Sequence, residues 1–272
     1  MHDTHDKRRD RPAGFTLIEL LTVIAIISVL MAILMPVLSK VRDGAYRVRC
    51  NSNLRQLSLA WVMYCDDHDG RFYQGINANL TYGGWDGIYD PVPRPLNTYA
   101  NLPLDMNTPD KAQLYHCPAD RGGAPGAFVN DKVFDVMGTS YGTNIFLVGQ
   151  NAVGYFSEQT KPLDEEISRR IRKTSCKEIS EPARVIMMGD YGWFNQWKPE
   201  PHTLKDWKTL AEWHKRPEHF NIGFVDGHVK YTQIQKGYYI TKDYTVVPFQ
   251  DLYGRARELQ EGCGQEFYPS GN

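Results

Sequence analysis

The most informative segment of the chain reads GFTLIELLTVIAIISVLMAILMP, from Gly14 to Pro36. Between Phe15 and Met35 the only charged residue is Glu19, and most of the others are apolar. A helix of this length spans about 30 Å, the thickness of the hydrocarbon layer of a bilayer. The segment therefore predicts a transmembrane helix. A buried core helix is the alternative, and a secretory signal peptide fits less well, because its apolar core has only about 7 to 15 residues.

Basic residues flank the apolar run on both sides. Those before it are Lys7, Arg8, Arg9 and Arg11. Those after it are Lys40, Arg42, Arg47 and Arg49. Cytoplasmic flanks of membrane helices carry an excess of Lys and Arg, so equal counts on the two sides do not predict an orientation.

The segment from Gly14 to Pro36 resembles the N-terminal signature of type IV prepilins and type II secretion pseudopilins. In that family a short charged leader ends in glycine, and prepilin peptidase cuts after it on the cytoplasmic face. The resemblance implies cleavage between Gly14 and Phe15, followed by N-methylation of Phe15. It places Glu19 at the fifth mature position, where the family has its glutamate, and Pro36 at the twenty-second, where many members have a proline.

Glu19 is the residue in this segment that physical chemistry singles out. An ionisable group inside a membrane helix costs at least about 2.5 kcal/mol, and it persists where it is paired or functional. The resemblance implies that Glu19 meets the free amine of Phe15 on a neighbouring subunit and sets the axial register of a fibre. The alternative is a side chain that snorkels to the nearby interface. Pro36 removes one backbone hydrogen bond and predicts a kink there.

The helical pattern continues beyond Pro36, with apolar residues at intervals of three and four. They are Val37, Val41, Ala45, Val48, Leu54, Leu57, Trp61 and Tyr64. This pattern predicts an amphipathic second half whose apolar face packs on a soluble domain. The run Asp66-Asp67-His68-Asp69-Gly70 ends the helix, and its spacing favours a solvated turn over a calcium loop, because the Asp-x-Asp-x-Asp-Gly pattern is absent.

The apolar run, its amphipathic continuation and the acidic turn after it predict an α+β protein in which a long N-terminal helix packs on a mainly antiparallel β head. Residues 1–14 form the leader, 15–64 the helix and 65–272 the head. Within the helix, residues 15–36 cross the membrane and residues 37–64 are amphipathic. In the head, Asp226-Gly227 predicts a two-residue type I′ hairpin in the stretch from His219 to Ile234. The expected pairs are Phe224 with Val229, Ile222 with Tyr231 and Val225 with His228.

The head resembles a large-head subgroup of prepilin-like proteins that carries a His-x9-Asp-Gly motif. The matching segments are Cys50 to Gln56, His116 to Asp120, Ser140 to Asn144, Pro182 to Asp190 and Asn221 to Val229. In the last segment the motif hairpin contributes Asn221, Asp226, Gly227 and His228. One position departs from the motif, because Arg216 stands where the histidine is expected. His214 and His219 are the nearest histidines, and a small insertion after His214 would restore the match.

The sequence does not predict a catalytic or metal site in the head. Potential metal ligands are His116, Cys117, His214, His219, Asp226 and His228. They lack the Cys-x2-Cys and His-Glu-x-x-His spacings that identify zinc sites. Neither a Gly-x-Ser-x-Gly elbow nor a phosphate-binding glycine loop is present. We therefore expect no metal, no cofactor and no enzymatic activity, although two distant carboxylates could act on a glycoside without leaving a local motif.

Five cysteines are candidates for disulfides if the head lies outside the cytoplasm, where disulfides persist. They are Cys50, Cys65, Cys117, Cys176 and Cys263. Two bridges at most can form, and the sequence leaves 15 connectivities open. Cys50 and Cys65 cannot pair with each other in one straight helix, because about 22 Å would separate their Cα atoms.

A second function class rests on aromatic residues in two predicted loops, of which the stretch TYGGWDGIYDP is rich in glycine. They are Tyr82, Trp85, Tyr89, Trp193 and Trp197. Exposed rings at these positions could stack on sugars and make the chain a membrane-anchored surface adhesin or polysaccharide-binding protein. The alternative is that the rings fold back over the core of the head.

The sequence as a whole favours a structural subunit of a type II secretion or type IV pilus-like fibre. The 272 residues carry a net charge of −1, which excludes the basic footprint of a nucleic-acid-binding protein. The resemblance implies several partners: prepilin peptidase, other pilin or pseudopilin subunits and an inner-membrane assembly platform. It also implies a single-pass inner-membrane protein with its head in the periplasm, or at the cell surface after assembly. A glycan or a secreted protein is the expected ligand class of the head.

Overall fold

The computed structural model of the chain describes residues 16–75, 78–87, 93–104, 107–123, 131–149, 161–197 and 212–267. Helix α1 runs from Leu17 to Asp67. The chain divides within this helix into two compact units, one ending at Arg42 and the other beginning at Asp43. The residue bounds predicted for the leader, the helix and the head remain predictions.

The first part of α1 is long and apolar enough to cross a membrane. Its large apolar side chains are exposed from Leu17 to Leu38. Inside it, the polar side chains bond back to the helix: the Thr22 hydroxyl donates to the Glu19 carbonyl at 3.0 Å, and the Ser28 hydroxyl donates to the Ile24 carbonyl at 2.7 Å. A lipid-exposed helix must satisfy its polar groups internally, and the Thr22 and Ser28 hydroxyls meet that requirement. These features support membrane anchoring.

The second part of α1 buries one face from Cys50 onward. The buried positions recur at helical spacing: Cys50, Asn53, Leu54, Leu57, Ser58, Ala60, Trp61, Tyr64 and Cys65. The prediction of an apolar face is confirmed for Leu54, Leu57, Trp61 and Tyr64. It is wrong for Val37, Val41, Ala45 and Val48, which are exposed. Helical spacing shows which side chains share one side of the helix. Those side chains are buried only where another part of the chain packs on them.

Helix α1 ends at Asp67, within the acidic run from Asp66 to Gly70 that predicted its end. The next turn contains two residues with positive φ, Asp69 at 55° and Gly70 at 76°. The Gly70 N–H donates to the Cys65 carbonyl at 2.7 Å and closes the end of the helix. Glycine adopts this conformation without strain and is the usual residue at such a position.

The described part of the head contains an antiparallel sheet in the order β1-β2-β3-β4. The strands are β1 (Tyr141–Thr143), β2 (Ile186–Asp190), β3 (His219–Phe224) and β4 (Val229–Gln233). The remaining α-helices are α2 (Ala78–Thr81), α3 (Leu96–Tyr99), α4 (Val133–Met137), α5 (Lys161–Ile171), α6 (Gly192–Gln196) and α7 (Tyr253–Phe267). Short 3-10 helices cover Pro109–Tyr115, Cys176–Glu178 and Gln250–Leu252. The predicted α+β class with a long N-terminal helix and an antiparallel head is confirmed.

The hairpin between β3 and β4 forms, but its predicted turn and pairing are wrong. The observed pairs are His219 with Gln233, Phe220 with Thr232, Asn221 with Tyr231, Ile222 with Lys230 and Gly223 with Val229. The Phe224 N–H donates to the His228 carbonyl at 3.0 Å, so the loop contains Val225, Asp226 and Gly227. The register differs by one residue from the expected pairs of Phe224 with Val229, Ile222 with Tyr231 and Val225 with His228.

The conformation of the loop explains this difference. A type I′ turn needs positive φ at both central residues, whereas Gly227 at 89° is the only residue of this loop with positive φ. The Asp226 carboxylate instead accepts the His228 backbone N–H at 3.1 Å. This side-chain bond stabilises a three-residue loop that ends in a left-handed glycine, another common hairpin connection.

Candidate functional site

The N-terminus of α1 is closed by reciprocal hydrogen bonds between Thr16 and Glu19. The Glu19 Oε2 atom accepts from the Thr16 backbone N–H and from the Thr16 hydroxyl, each at 2.8 Å. The Thr16 hydroxyl accepts the Glu19 N–H at 3.2 Å. This arrangement is a capping box, which satisfies two backbone donors at the start of a helix. Glu19 therefore has a structural partner within its own chain.

The capping box uses only one of the two carboxylate oxygens. Within the described residues, Glu19 Oε1 accepts no hydrogen bond. The surrounding side chains are exposed and apolar, including Leu17, Ile18 and Leu20. The carboxylate thus presents one open oxygen on an apolar helix surface, a geometry that can accept a cation from another molecule.

Of the other three residues predicted at this N-terminal signal, the structure describes Pro36. The cleavage residues Gly14 and Phe15 lie outside the described residues. Pro36 lies within the uninterrupted helix α1. Because proline has no N–H, the Ala32 carbonyl lacks its usual donor within the helix. A kink at Pro36 remains a prediction.

In the head, Cys50 and Cys117 form a disulfide with a Cα–Cα distance of 5.2 Å. It connects α1 to the segment that follows the 3-10 helix Pro109–Tyr115. Cys65 and Cys176 are free thiols, and Cys65 is buried. Burial, followed by the neighbouring Cys176, raises the pKa of Cys65. The fifth cysteine, Cys263, lies in α7, but its side chain is outside the described part of the chain.

A buried acid and a buried histidine lie beside this disulfide. His214 Nε2 is 3.7 Å from Cys117 Sγ and 3.3 Å from Asp190 Oδ2. Their side chains are almost fully buried, with 2% of His214 and 1% of Asp190 exposed. Asn221 donates to Asp190 Oδ2 through its backbone N–H at 2.8 Å and through its side-chain amide at 2.9 Å. These contacts fix the carboxylate at the end of β2.

One ligand atom each from Cys50, Cys117, Asp190 and His214 lies within 4.8 Å of all the others. Thiolates, an imidazole and a carboxylate are the donors that bind zinc in proteins. Asp190 Oδ1 and His214 Nδ1 are buried and have no hydrogen-bond partner among the described residues. The sequence did not reveal this group, because its members are far apart in the chain and lack a characteristic spacing.

A second buried carboxylate, Asp120, organises the loops next to the disulfide. Its Oδ1 accepts from the Gly122 and Val133 N–H groups at 3.0 and 3.1 Å. Its Oδ2 accepts from the Phe134 N–H at 2.8 Å and the Ser140 hydroxyl at 2.7 Å. Burial raises the pKa of Asp120, and these hydrogen bonds oppose the rise. The carboxylate also caps the N-terminus of α4.

The segments that suggested the large-head subgroup meet around these two carboxylates. Asn53 donates to the His116 carbonyl at 3.1 Å. The Ser140 hydroxyl accepts the Cys117 N–H at 3.0 Å. The histidine near Asp190 is His214, which lies two residues before the position that the His-x9-Asp-Gly motif requires. His214 contacts Asp190, and both membership of the subgroup and the identity of the motif histidine remain predictions.

The other potential metal ligands do not join the cluster. His116 stacks on Phe134 with ring centroids 4.5 Å apart. His219 packs near Tyr231, with ring centroids 5.5 Å apart. The remaining two, Asp226 and His228, pair with each other at 2.6 Å on an exposed turn. In this hairpin, Asn221 donates the described hydrogen bonds to the buried carboxylate Asp190.

The aromatic residues proposed to bind sugars are mostly buried. Tyr82, Trp193 and Trp197 are each 0% exposed. Trp85 is partly buried, and its indole N–H donates to the Phe134 carbonyl at 2.8 Å. Tyr89 lies outside the described residues. The described rings cover the core, as the alternative interpretation expected, and they do not form a sugar-stacking surface.

A family model described as the prokaryotic N-terminal methylation motif matches residues 9–35. No curated protein and no solved structure matches the chain significantly. The motif indicates a prepilin-peptidase substrate of the type IV pilin or pseudopilin kind, and it is typical of structural subunits and not of enzymes. Because the match is confined to the N-terminal region, it carries no information about the head.

Proposed function

We propose that the chain is a pilin-like structural subunit that prepilin peptidase processes and that assembles through helix α1 into a type II secretion or type IV pilus-like fibre. Prepilin peptidase cuts after Gly14, and the new N-terminus, Phe15, is methylated. Other pilin subunits and an inner-membrane platform are the assembly partners.

The observation that carries this proposal is the methylation motif at residues 9–35, which overlaps the exposed apolar part of helix α1 from Leu17 to Leu38. An apolar surface of this extent is unstable in water, so it needs either lipid or neighbouring helices. A pilin-like subunit uses both in turn: lipid during storage in the membrane and helices of other subunits after assembly.

The orientation follows from the cleavage reaction. Prepilin peptidase cuts on the cytoplasmic face, so the leader is cytoplasmic and residues beyond the membrane helix are periplasmic. The disulfide between Cys50 and Cys117 fits this orientation, because disulfides persist in oxidising compartments. The chain is therefore a single-pass inner-membrane protein before assembly.

We expect the protein recovered from its native membrane to start with N-methylated Phe15. Intact and N-terminal peptide mass spectrometry measures this directly, because loss of residues 1–14 and addition of one methyl group each change the mass by a known amount. Gly14→Leu places a bulky residue at the cleavage site and should leave the leader attached. Ala13→Leu, one residue earlier, is the matched control and should still be cleaved.

An intact Met1 terminus in the native protein would contradict processing and leave α1 as a plain membrane anchor. A start at Phe15 without a methyl group would separate cleavage from methylation and contradict the second half of the proposal.

A further inference from the structure

We propose that Cys50, Cys117, Asp190 and His214 form a tetrahedral Zn²⁺ site when the disulfide between the two cysteines is reduced. The disulfide and the zinc site are then two alternative states of the same buried cluster. This proposal concerns the head alone and is independent of processing at the N-terminus.

Two observed distances between the ligand atoms are close to those of a tetrahedral zinc site. For tetrahedral zinc with ordinary bond lengths, two ligand atoms are separated by about 3.4 Å for a nitrogen and an oxygen, and by about 3.6 Å for a sulfur and a nitrogen. The observed distances are 3.3 Å from His214 Nε2 to Asp190 Oδ2 and 3.7 Å from His214 Nε2 to Cys117 Sγ. All four ligand atoms lie within 4.8 Å of one another. The two sulfur atoms must move apart, to about 3.8 Å, and breaking the disulfide permits this movement.

The burial of Asp190 and His214 is the second observation that supports a metal site. A disulfide needs neither an acid nor a histidine beside it, and burying such groups is unfavourable unless they are paired or coordinate a metal. Asp190 Oδ2, which lies 3.3 Å from His214 Nε2, is the oxygen that would bind the metal, and Oδ1 is buried without a partner among the described residues. Asn221 holds Oδ2 in place with two hydrogen bonds. Outer-shell contacts of this kind orient metal-binding carboxylates.

The chemical types of the four ligand atoms determine which metal ion they favour. Two thiolates, an imidazole and a carboxylate in a closed tetrahedral arrangement favour Zn²⁺ over Ca²⁺ or Mg²⁺, which prefer oxygen ligands and higher coordination. Four protein ligands leave no open position for water, so the predicted site is structural and not catalytic.

The oxidised state is converted into the zinc-bound state by reduction of the disulfide followed by metal binding. A phosphine reductant and one water molecule convert the disulfide into two thiols and the phosphine into its oxide. Zn²⁺ then binds the two sulfur atoms as thiolates and releases two protons. In the opposite direction, a diazene oxidant takes two electrons from the two thiolates and two protons from solvent and becomes a hydrazine, which restores the disulfide and releases Zn²⁺.

The test uses the full chain in detergent micelles, either oxidised or reduced with a phosphine under anaerobic conditions. Titration of Zn²⁺ against a chromophoric chelator gives stoichiometry and affinity. We expect one Zn²⁺ per reduced chain and none per oxidised chain. Co²⁺ in place of Zn²⁺ should show the visible bands of a tetrahedral site and a thiolate charge-transfer band.

Variants locate the site. Asp190→Asn and His214→Gln should each weaken zinc binding of the reduced chain at least about 100-fold, because loss of even an outer-shell partner weakens binding about 10- to 100-fold. The matched control is Cys65→Ser with Cys176→Ser, which removes the other described thiols and should leave binding unchanged. Circular dichroism checks that each variant is folded.

Three results would overturn the proposal, and the first needs no variant. Reduced wild-type chain could be folded and bind no Zn²⁺. The oxidised chain could bind Zn²⁺ as tightly as the reduced chain. Binding could also survive in both Asp190→Asn and His214→Gln but disappear in the Cys65 and Cys176 double variant, which would place the metal elsewhere.

Discussion

We expect Glu19→Gln to insert into the membrane normally and to be absent from assembled fibres. Glutamine can replace glutamate in a capping box, so the start of α1 should keep its hydrogen bonds to Thr16. What the variant loses is the negative charge, and in the proposed fibre this charge pairs with the methylated amine of Phe15 on a neighbouring subunit.

The loss should be large because the pair forms in an apolar environment. Without its partner, the cationic amine of the neighbour would lie unpaired among the helices, and a charge at such a depth costs about 2.5 to 3.5 kcal/mol by insertion measurements. This cost recurs at every subunit contact along the fibre. We therefore expect fibre incorporation to fall at least tenfold, since about 1.4 kcal/mol corresponds to a factor of ten.

The matched control is Thr16→Ala, which removes the cap and keeps the charge. Loss of an N-cap typically destabilises a helix by about 0.5 to 2 kcal/mol. The membrane supports the rest of this helix, so we expect Thr16→Ala to assemble. The two variants thus separate the capping role of Glu19 from its proposed role in pairing between subunits.

The measurement compares the amounts of each variant in the membrane fraction and in sheared fibres by quantitative immunoblotting. Fibres that contain Glu19→Gln at the wild-type level would contradict pairing at Glu19. A defect in Thr16→Ala as severe as that of Glu19→Gln would mean that the capped helix end, and not the charge, controls assembly.

The sequence predicted the features of this chain that depend on local pattern. The apolar run from Phe15 to Met35 and the acidic turn after Asp67 act through neighbouring residues, and both are visible in the order of the residues. The hairpin was predicted at the right place, but its register was wrong by one residue. The register depends on whether Asp226 adopts positive φ, and its side-chain bond to the His228 N–H favours the other loop.

The buried cluster could not be predicted because it is assembled by tertiary structure. Cys50 lies in a helix, Cys117 in a loop and Asp190 at the end of a strand. His214 is displaced from its expected place in the motif by two residues. The burial of Trp193 and Trp197 has a similar cause: the sequence predicted a loop there, but Trp193 lies in helix α6, and the local sequence does not show whether these rings face the core or the solvent.

Asp120→Ala should produce the largest loss of stability in the head. The substitution removes one carboxylate that accepts four hydrogen bonds, three of them from the backbone N–H groups of Gly122, Val133 and Phe134. Each buried donor left without a partner costs about 1 to 3 kcal/mol. Partial entry of water reduces the sum, and we expect a decrease of about 3 to 5 kcal/mol in the free energy of unfolding.

The matched control is Asp135→Ala, because Asp135 lies in α4, the helix that Asp120 caps, and is exposed. It interacts with the helix dipole, so its loss should cost about 1 kcal/mol or less. Asp120→Asn adds a second comparison. An amide has one acceptor oxygen, and in either orientation its NH₂ group faces two of the four donors, so this variant should lie between wild type and Asp120→Ala.

Urea denaturation of the full chain in micelles, followed by tryptophan fluorescence, measures these differences. The six tryptophans all follow Asp43, so their fluorescence reports on the head and not on the membrane helix. If Asp120→Ala unfolds within about 1 kcal/mol of Asp135→Ala, the hydrogen bonds of Asp120 are replaceable by water. The expected result, a much earlier transition for Asp120→Ala alone, would show that the hydrogen bonds from Gly122, Val133, Phe134 and Ser140 to this carboxylate stabilise the head.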